Sequence, residues 1–344
     1  MRIGIARLGT LVAVAVLATL ATLACAGDEG PVGPAGVQGP VGPQGATGST
    51  GAAGSNMEAV SLGEGHEHPG GTYISNAGDY VSVADWDAME TVKVELGEFS
   101  FTPSNLTFEA GKPYKLEIVN AGAVKHYFTA EEFYGAVAFR KAQTSEGEFK
   151  APFFKAIEVF PDDQVDLYFV AVVPGTYDSI CTITGHADVG MVGAITITGS
   201  VPASPAPVVA AVADGDWVQN ASDLVSAADW DTMQTVTVEL SEFAFGPETL
   251  NLTVGQPYKI EIVNTGTVKH YFTAGPFYQS VAFRKAQDSS GEIKAPYFKA
   301  VEIFPGKQAD LYLIPTQAGS FKSVCTIEGH QEAGMHGQIK VSES

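Results

Sequence analysis

The chain has 344 residues, a formal net charge of −20 and 45% hydrophobic residues. That length gives room for two domains of ordinary size, and that apolar share excludes a wholly disordered chain. So acidic a balance argues against nucleic acid as a partner and suits cationic ones.

The first 24 residues have the pattern of an export signal. Arg2 and Arg7 supply a positive start, and the apolar run "LGTLVAVAVLATLATLA" ends at Ala24. Cys25 follows. Small residues ahead of a lone Cys resemble a bacterial lipoprotein signal, which implies acylation of Cys25, a membrane anchor and a place in the periplasm or at the cell surface. Leu23 and Thr22 depart from that pattern in their order. The chain has three cysteines, an odd count that an exported protein rarely carries without a use for it. With Cys25 set aside, Cys181 and Cys325 remain, for one disulfide or for two separate thiolates.

Residues 25–56 carry glycine at every third position from Gly27 to Gly54, with Pro31, Pro34, Pro40 and Pro43 each directly after a glycine. This is the Gly-X-Y signature of a collagen-like helix, in which only glycine fits the axis. Two readings stay open: a stalk that assembles a homotrimer, or an extended spacer.

A long internal repeat follows. "ADWDAMETVKVELGEFSFTP" around Trp86 returns as "ADWDTMQTVTVELSEFAFGP" around Trp230, and "VKHYFTA" and "VAFRKAQ" each return as well, always 144 positions later. The pattern predicts two domains, 71–199 and 215–344, joined by a Pro/Ala-rich linker at 200–214. Within the first copy "TVKVELGEFSF", "YKLEIVN", "AIEVF", "VDLYFV" and "GAITITG" are short, β-branched or aromatic, and bounded by Gly, Pro, Asn or Asp. They predict strands of a β-sandwich, with a short helix in the less regular stretch from Tyr127 to Lys155.

Each copy also carries one cysteine-centred motif. "CTITGHADVGM" runs from Cys181 to Met191 and "CTIEGHQEAGM" from Cys325 to Met335, with a further His upstream at His126 and His270. A disulfide between the copies would leave these His and Met residues without a reason. Two complete sets give one: His126, Cys181, His186 and Met191, then His270, Cys325, His330 and Met335. Two imidazoles, a thiolate and a weak thioether are the donors of a blue-copper centre with a long axial Met. Gly190 and Gly334 let the loop turn toward its Met.

A His far upstream of C-x4-H-x4-M, followed by a strand, resembles the cupredoxin family of plastocyanin, azurin and rusticyanin. The resemblance covers both repeats. It implies an all-β chain of two tandem Greek-key β-sandwich cupredoxin domains, with one type 1 copper in each and two per chain. It also implies electron transfer through the exposed edges of His186 and His330. The expected role is one-electron transfer in the cell envelope with a redox protein such as a cytochrome as partner. Copper storage or delivery is the alternative.

Three features depart from that pattern or fall outside it. Tyr127 and Tyr271 stand where the family often has Asn or Ser after the first His. A basic set, Arg140, Lys141, Lys150 and Lys155, recurs as Arg284, Lys285, Lys294 and Lys299; it fits either a docking patch for an anionic partner or a solvated, salt-bridged face. His66, His68 and His336 have no assigned role. Two-domain copper oxidases and nitrite reductases place a His beside the blue-copper Cys. Here the neighbours are Ile180 and Thr182, or Val324 and Thr326, so the expectation is that the chain is not an enzyme.

Overall fold

The computed structural model describes residues 71–344. The leader, Cys25, the Gly-X-Y run, His66 and His68 lie outside the described residues. Among the described residues no helix is long and apolar enough to cross a membrane.

The first copy runs β1 (Thr72–Ile74), α1 (Ala77–Val83), β2 (Glu90–Gly97), β3 (Ser100–Thr102), β4 (Asn105–Glu109), β5 (Pro113–Asn120), β6 (His126–Phe128), α2 (Glu131–Gly135), β7 (Val137–Gln143), β8 (Gly147–Lys150), β9 (Ala156–Val159), β10 (Gln164–Ala171), β11 (Gly175–Ile180) and β12 (Val192–Thr198). Then come β13 (Val209–Ala211) and α3 (Ala221–Ala227). The second copy repeats the pattern in β14 (Gln234–Ser241), β15 (Ala244–Gly246), β16 (Thr249–Thr253), β17 (Tyr258–Asn264), β18 (His270–Phe272), α4 (Gly275–Gln279), β19 (Val281–Gln287), β20 (Gly291–Lys294), β21 (Ala300–Ile303), β22 (Gln308–Pro315), β23 (Gly319–Val324) and β24 (His336–Ser342).

Strand alternation decides which face is buried. In "PYKLEIVN" Tyr114, Leu116 and Ile118 point inward while Lys115 and Glu117 stay half-exposed. β4 and β12 pair in parallel and turn Leu106, Phe108, Ile195 and Ile197 onto the same core. Phe108 meets Tyr114 at 4.8 Å and Phe169 at 5.2 Å between ring centroids, so the three-stranded sheet β11–β12–β4 packs face to face on the sheet that holds β5 and β10. The second copy stacks β16–β24–β23 in the same order.

The copies are not side by side. Each eight-stranded sheet takes six strands from one copy and two from the other, in the orders β18-β21-β8-β7-β10-β5-β2-β3 and β15-β14-β17-β22-β19-β20-β9-β6. β21 pairs with β8 in the register Ala300↔Lys150 to Ile303↔Gly147, and β9 pairs with β20 from Ala156↔Lys294 to Val159↔Gly291. The boundaries at 199 and 215 therefore mark the repeat, while backbone ladders run across it. The stretch read as a linker differs too: Val209–Ala211 pairs with Thr72–Ile74, because a three-residue edge strand has peptide groups that need a partner.

Candidate metal centres

His126 sits in β6, whose following residue Thr129 bridges to Ile180 at the end of β11. That bridge delivers the upstream His to the cysteine that β11 leads into. His270 is delivered by the bridge Thr273↔Val324. The loop holds its other donors by backbone bonds among themselves. Cys181 N–H donates to Met191 O at 3.0 Å, and Met191 N–H to His186 O at 3.0 Å. In the second copy Cys325 N–H donates to Met335 O at 3.1 Å and Met335 N–H to His330 O at 2.9 Å. These bonds close the loop and hold the Cys, His and Met backbones against one another. Gly190 and Gly334, just before each Met, adopt φ of +111° and +112°, which glycine reaches without strain.

The donor atoms converge. His126, Cys181 and His186 present theirs within 4.8 Å of one another, and so do His270, Cys325 and His330. Cys181 Sγ lies 3.5 Å from His186 Nδ1 and 4.0 Å from His126 Nδ1; Cys325 Sγ lies 3.5 Å from His330 Nδ1. Both cysteines are free thiols, fully buried, as are Met191 and Met335. His126 and His270 are buried, while His186 and His330 keep a partly exposed edge.

This donor set fits a copper ion. Both ring nitrogens of His270 are buried with no hydrogen-bond partner among the described residues, a costly arrangement that a metal on the lone-pair nitrogen would relieve in part. Burial pushes the His126 and His270 pKa values down, which favours the neutral imidazole a metal needs. Burial pushes the Cys181 thiol up, while backbone N–H groups of Ile183 and Tyr127 act the other way. A thiol raised by burial gives up its proton to a bound cation.

Tyr127 and Tyr271 fill their positions in a way their residue type does not announce. The backbone N–H of each donates to the cysteine sulfur at 3.4 Å. Their side chains leave the site and cross into the other copy. Tyr127 O–H donates to Glu292 Oε2 at 3.3 Å, and Lys150 Nζ donates to the Tyr271 hydroxyl at 2.9 Å. Lys294 lies 5.0 Å above the Tyr127 ring.

Most of the basic set is used inside the molecule. Lys141 and Lys285 bond Glu148 and Glu292, and Arg140 and Arg284 lie 4.7 and 4.8 Å above Trp86 and Trp230. Lys125 and Lys269 reach Glu158 and Glu302, both fully buried, at 2.9 Å. Burial first, then the neighbouring Glu292, raises the Glu158 carboxyl. His336 is exposed at the start of β24. The sequence reading missed Glu98 and Phe99, which face His126 and His186 from the β2–β3 turn; no motif marks a residue whose role depends on turn geometry.

No protein-family model matches the chain. By sequence it is similar to the copper-resistant cuproprotein CopI of Rubrivivax gelatinosus, 29% identical over 109 residues, which is 31% of this chain and 66% of that protein. By structure it is similar to a copper-containing nitrite reductase from Thermus scotoductus SA-01, with 12% identity, a TM-score of 0.27, and coverage of 74% of this chain and 62% of that one. Auracyanin from Roseiflexus castenholzii aligns with 18% identity and a TM-score of 0.24, over 33% of this chain and all of that one. The chain thus spans just under two thirds of the length of CopI and of the nitrite reductase. The structural alignments are low in identity and in TM-score, so the reading of the two centres rests on their own donor geometry. One expectation is corrected here. The expectation that the chain is not an enzyme is withdrawn, since a nitrite reductase and multicopper oxidases, which are enzymes, stand among the structural neighbours. The physical reason is that one sandwich hosts both carriers and catalysts.

Proposed function

We propose that each copy holds one copper ion and that the chain carries single electrons in the cell envelope, where its leader and Cys25 would place it. The observation behind this reading is a buried thiol with two imidazoles within 4.8 Å, found twice. His126, Cys181, His186 and Met191 would hold one ion; His270, Cys325, His330 and Met335 would hold the other. Bound copper supplies a one-electron couple, which thiolate and imidazole donors keep accessible in both oxidation states.

The residues of the chain do the rest. The Cys–Met and Met–His backbone bonds keep the loop from rearranging between oxidation states. Buried His126 and His270 exclude water on the inner side. The partly exposed rings of His186 and His330 give the electron a route to a docked partner. The N–H of Tyr127 or Tyr271 stabilises negative charge on sulfur.

Metal analysis with an optical spectrum tests the reading. Two coppers per chain and an intense thiolate-to-copper absorption are expected, and Cys181→Ser or Cys325→Ser removes one copper and leaves the other. A single copper held between both cysteines sinks it. The similarity to a copper-resistant cuproprotein favours copper handling as a second reading. Ready loss of Cu(I) to a chelating acceptor, without reversible voltammetry, decides for that second reading.

A further inference from the structure

The turn between β2 and β3 sets two side chains against the first centre. His126 Nε2 lies 3.3 Å from Glu98 Oε2, and the Phe99 ring meets His186 edge-on with centroids 5.0 Å apart. Ala123 N–H donates to the other carboxylate oxygen of Glu98 and holds it in place. Gly122 leaves the space: a Cβ there would lie 2.9 Å from His126 Nε2 and 3.0 Å from Glu98 Oε2. Phe99 takes φ of +62°, a left-handed conformation that a bulky residue adopts only under strain and that tends to mark functional turns. Among the described residues the ion-pair partner of Glu98 is His126, so this carboxylate is not spent on a lysine or arginine.

We propose that Glu98 is a positioning residue of the first centre: it accepts the Nε2–H of His126, fixes the tautomer that turns Nδ1 toward Cys181, and keeps a negative charge against the site. The proposal rests on the copper reading above. A neutral imidazole has one N–H, so placing it on Nε2 leaves the Nδ1 lone pair for a metal. A carboxylate partner makes the ring a stronger donor and favours the more highly charged oxidation state, which lowers the reduction potential.

The second copy supplies an internal comparison. Thr267 stands where the first copy has Ala123, and its N–H and hydroxyl both donate to Glu242 Oε1, at 2.5 and 2.9 Å. His270 Nε2 then has no hydrogen-bond partner among the described residues. Thr267 in place of Ala123, with neighbouring changes at Gly97/Ser241, Ser100/Ala244 and Ala121/Thr265, accompanies the difference between a carboxylate that bonds its histidine and one that does not.

The test uses Glu98→Gln, nearly isosteric and at an exposed position, in a full-length chain whose second centre is silenced by Cys325→Ser. Its counterpart is Glu242→Gln with Cys181→Ser. Copper(II) affinity of the first centre is expected to fall about 10- to 100-fold and its reduction potential to move positive, with a smaller change at the second centre. Nitrogen-15 NMR of the metal-free protein reads the tautomer directly. His126 is expected as the Nε2–H form in the parent and as a mixture in Glu98→Gln. Unchanged affinity, potential and tautomer, or equal shifts at both centres, overturns the proposal. A parent that binds no copper overturns the copper reading instead, and the tautomer measurement on the metal-free protein still decides the role of Glu98.

Discussion

At the scale of the residue, the two methionines separate donor chemistry from packing. Met191 and Met335 are fully buried, so each fills core volume whether or not its sulfur touches a metal. Met191→Leu keeps the volume and removes the sulfur, and such a swap costs less than about 1.5 kcal/mol of stability. If the thioether is the weak axial donor, the intense absorption stays and the reduction potential moves positive, because an electron-donating contact to the higher oxidation state has gone. Voltammetry and an optical spectrum on the same sample check this; loss of the absorption would show that Met191 is not a weak donor. Cys181, His186 and Met191 were legible because their spacing lies within eleven consecutive residues and recurs in the second copy, and His126 because His270 stands at the same distance of 55 residues from its cysteine. Tyr127 was legible only as a departure. Its contribution to the sulfur is a backbone N–H, which every residue except proline has, so its side chain carries no sign of it.

At the scale of the element, most strands followed from alternation and their bounding turns, and α2 falls in the stretch expected to hold a short helix. The pairing of β8 with β21, and of β20 with β9, was not legible. Ladder bonds run between backbones, and the duplicated copies offer nearly the same side chains on either side. Pairing within a copy and pairing across copies are therefore degenerate in sequence, and packing of the whole decides between them. Glycine carries the one local trace. A Cβ on Gly147 would lie 2.0 Å from the Glu302 carbonyl oxygen, and a Cβ on Gly291 would lie 2.0 Å from that of Glu158. Backbone of the other copy cannot yield as a side-chain end does. Gly147→Ala and Gly291→Ala are each expected to destabilise the chain by about 3 kcal/mol or more, read as a lower denaturation midpoint. Gly275→Ala, where a Cβ meets nothing within 4 Å and φ is not positive, as at Gly147 and Gly291, controls for the loss of a glycine as such. A midpoint unchanged in Gly147→Ala would mean that the seam opens without cost.

At the scale of the whole molecule, the seam has approximate two-fold character, since the β8–β21 and β20–β9 ladders exchange with the copies. Side chains break that symmetry, most plainly where equivalent positions meet. Thr144 and Asp288 are counterparts, 144 positions apart, and Thr144 Oγ1 donates to Asp288 Oδ2 at 2.6 Å. A pair of aspartates there would repel and a pair of threonines would carry no charge; the duplicated chain has one of each. Burial pushes the Asp288 carboxyl up to about 6, against hydrogen bonds from Thr144 and Ser290 that favour the ionised form, and Glu146 adds to the rise. The sign follows. Between about pH 4 and 6 the folded chain keeps a proton that the unfolded chain has released, so stability falls as pH rises through that window. Below it both states are protonated; above it the full cost of an ionised buried carboxylate is present, about 3 kcal/mol for a shift of roughly two units. Asp288→Asn removes the titration. Other carboxylates on the seam also titrate, so the informative quantity is the stability of the variant minus that of the parent, from chemical denaturation at each pH. That difference is expected to rise in favour of the variant by about 3 kcal/mol between pH 4 and pH 7. A difference that stays flat would show that Asp288 ionises in the seam as freely as it does in water, and that the two copies meet there through solvent.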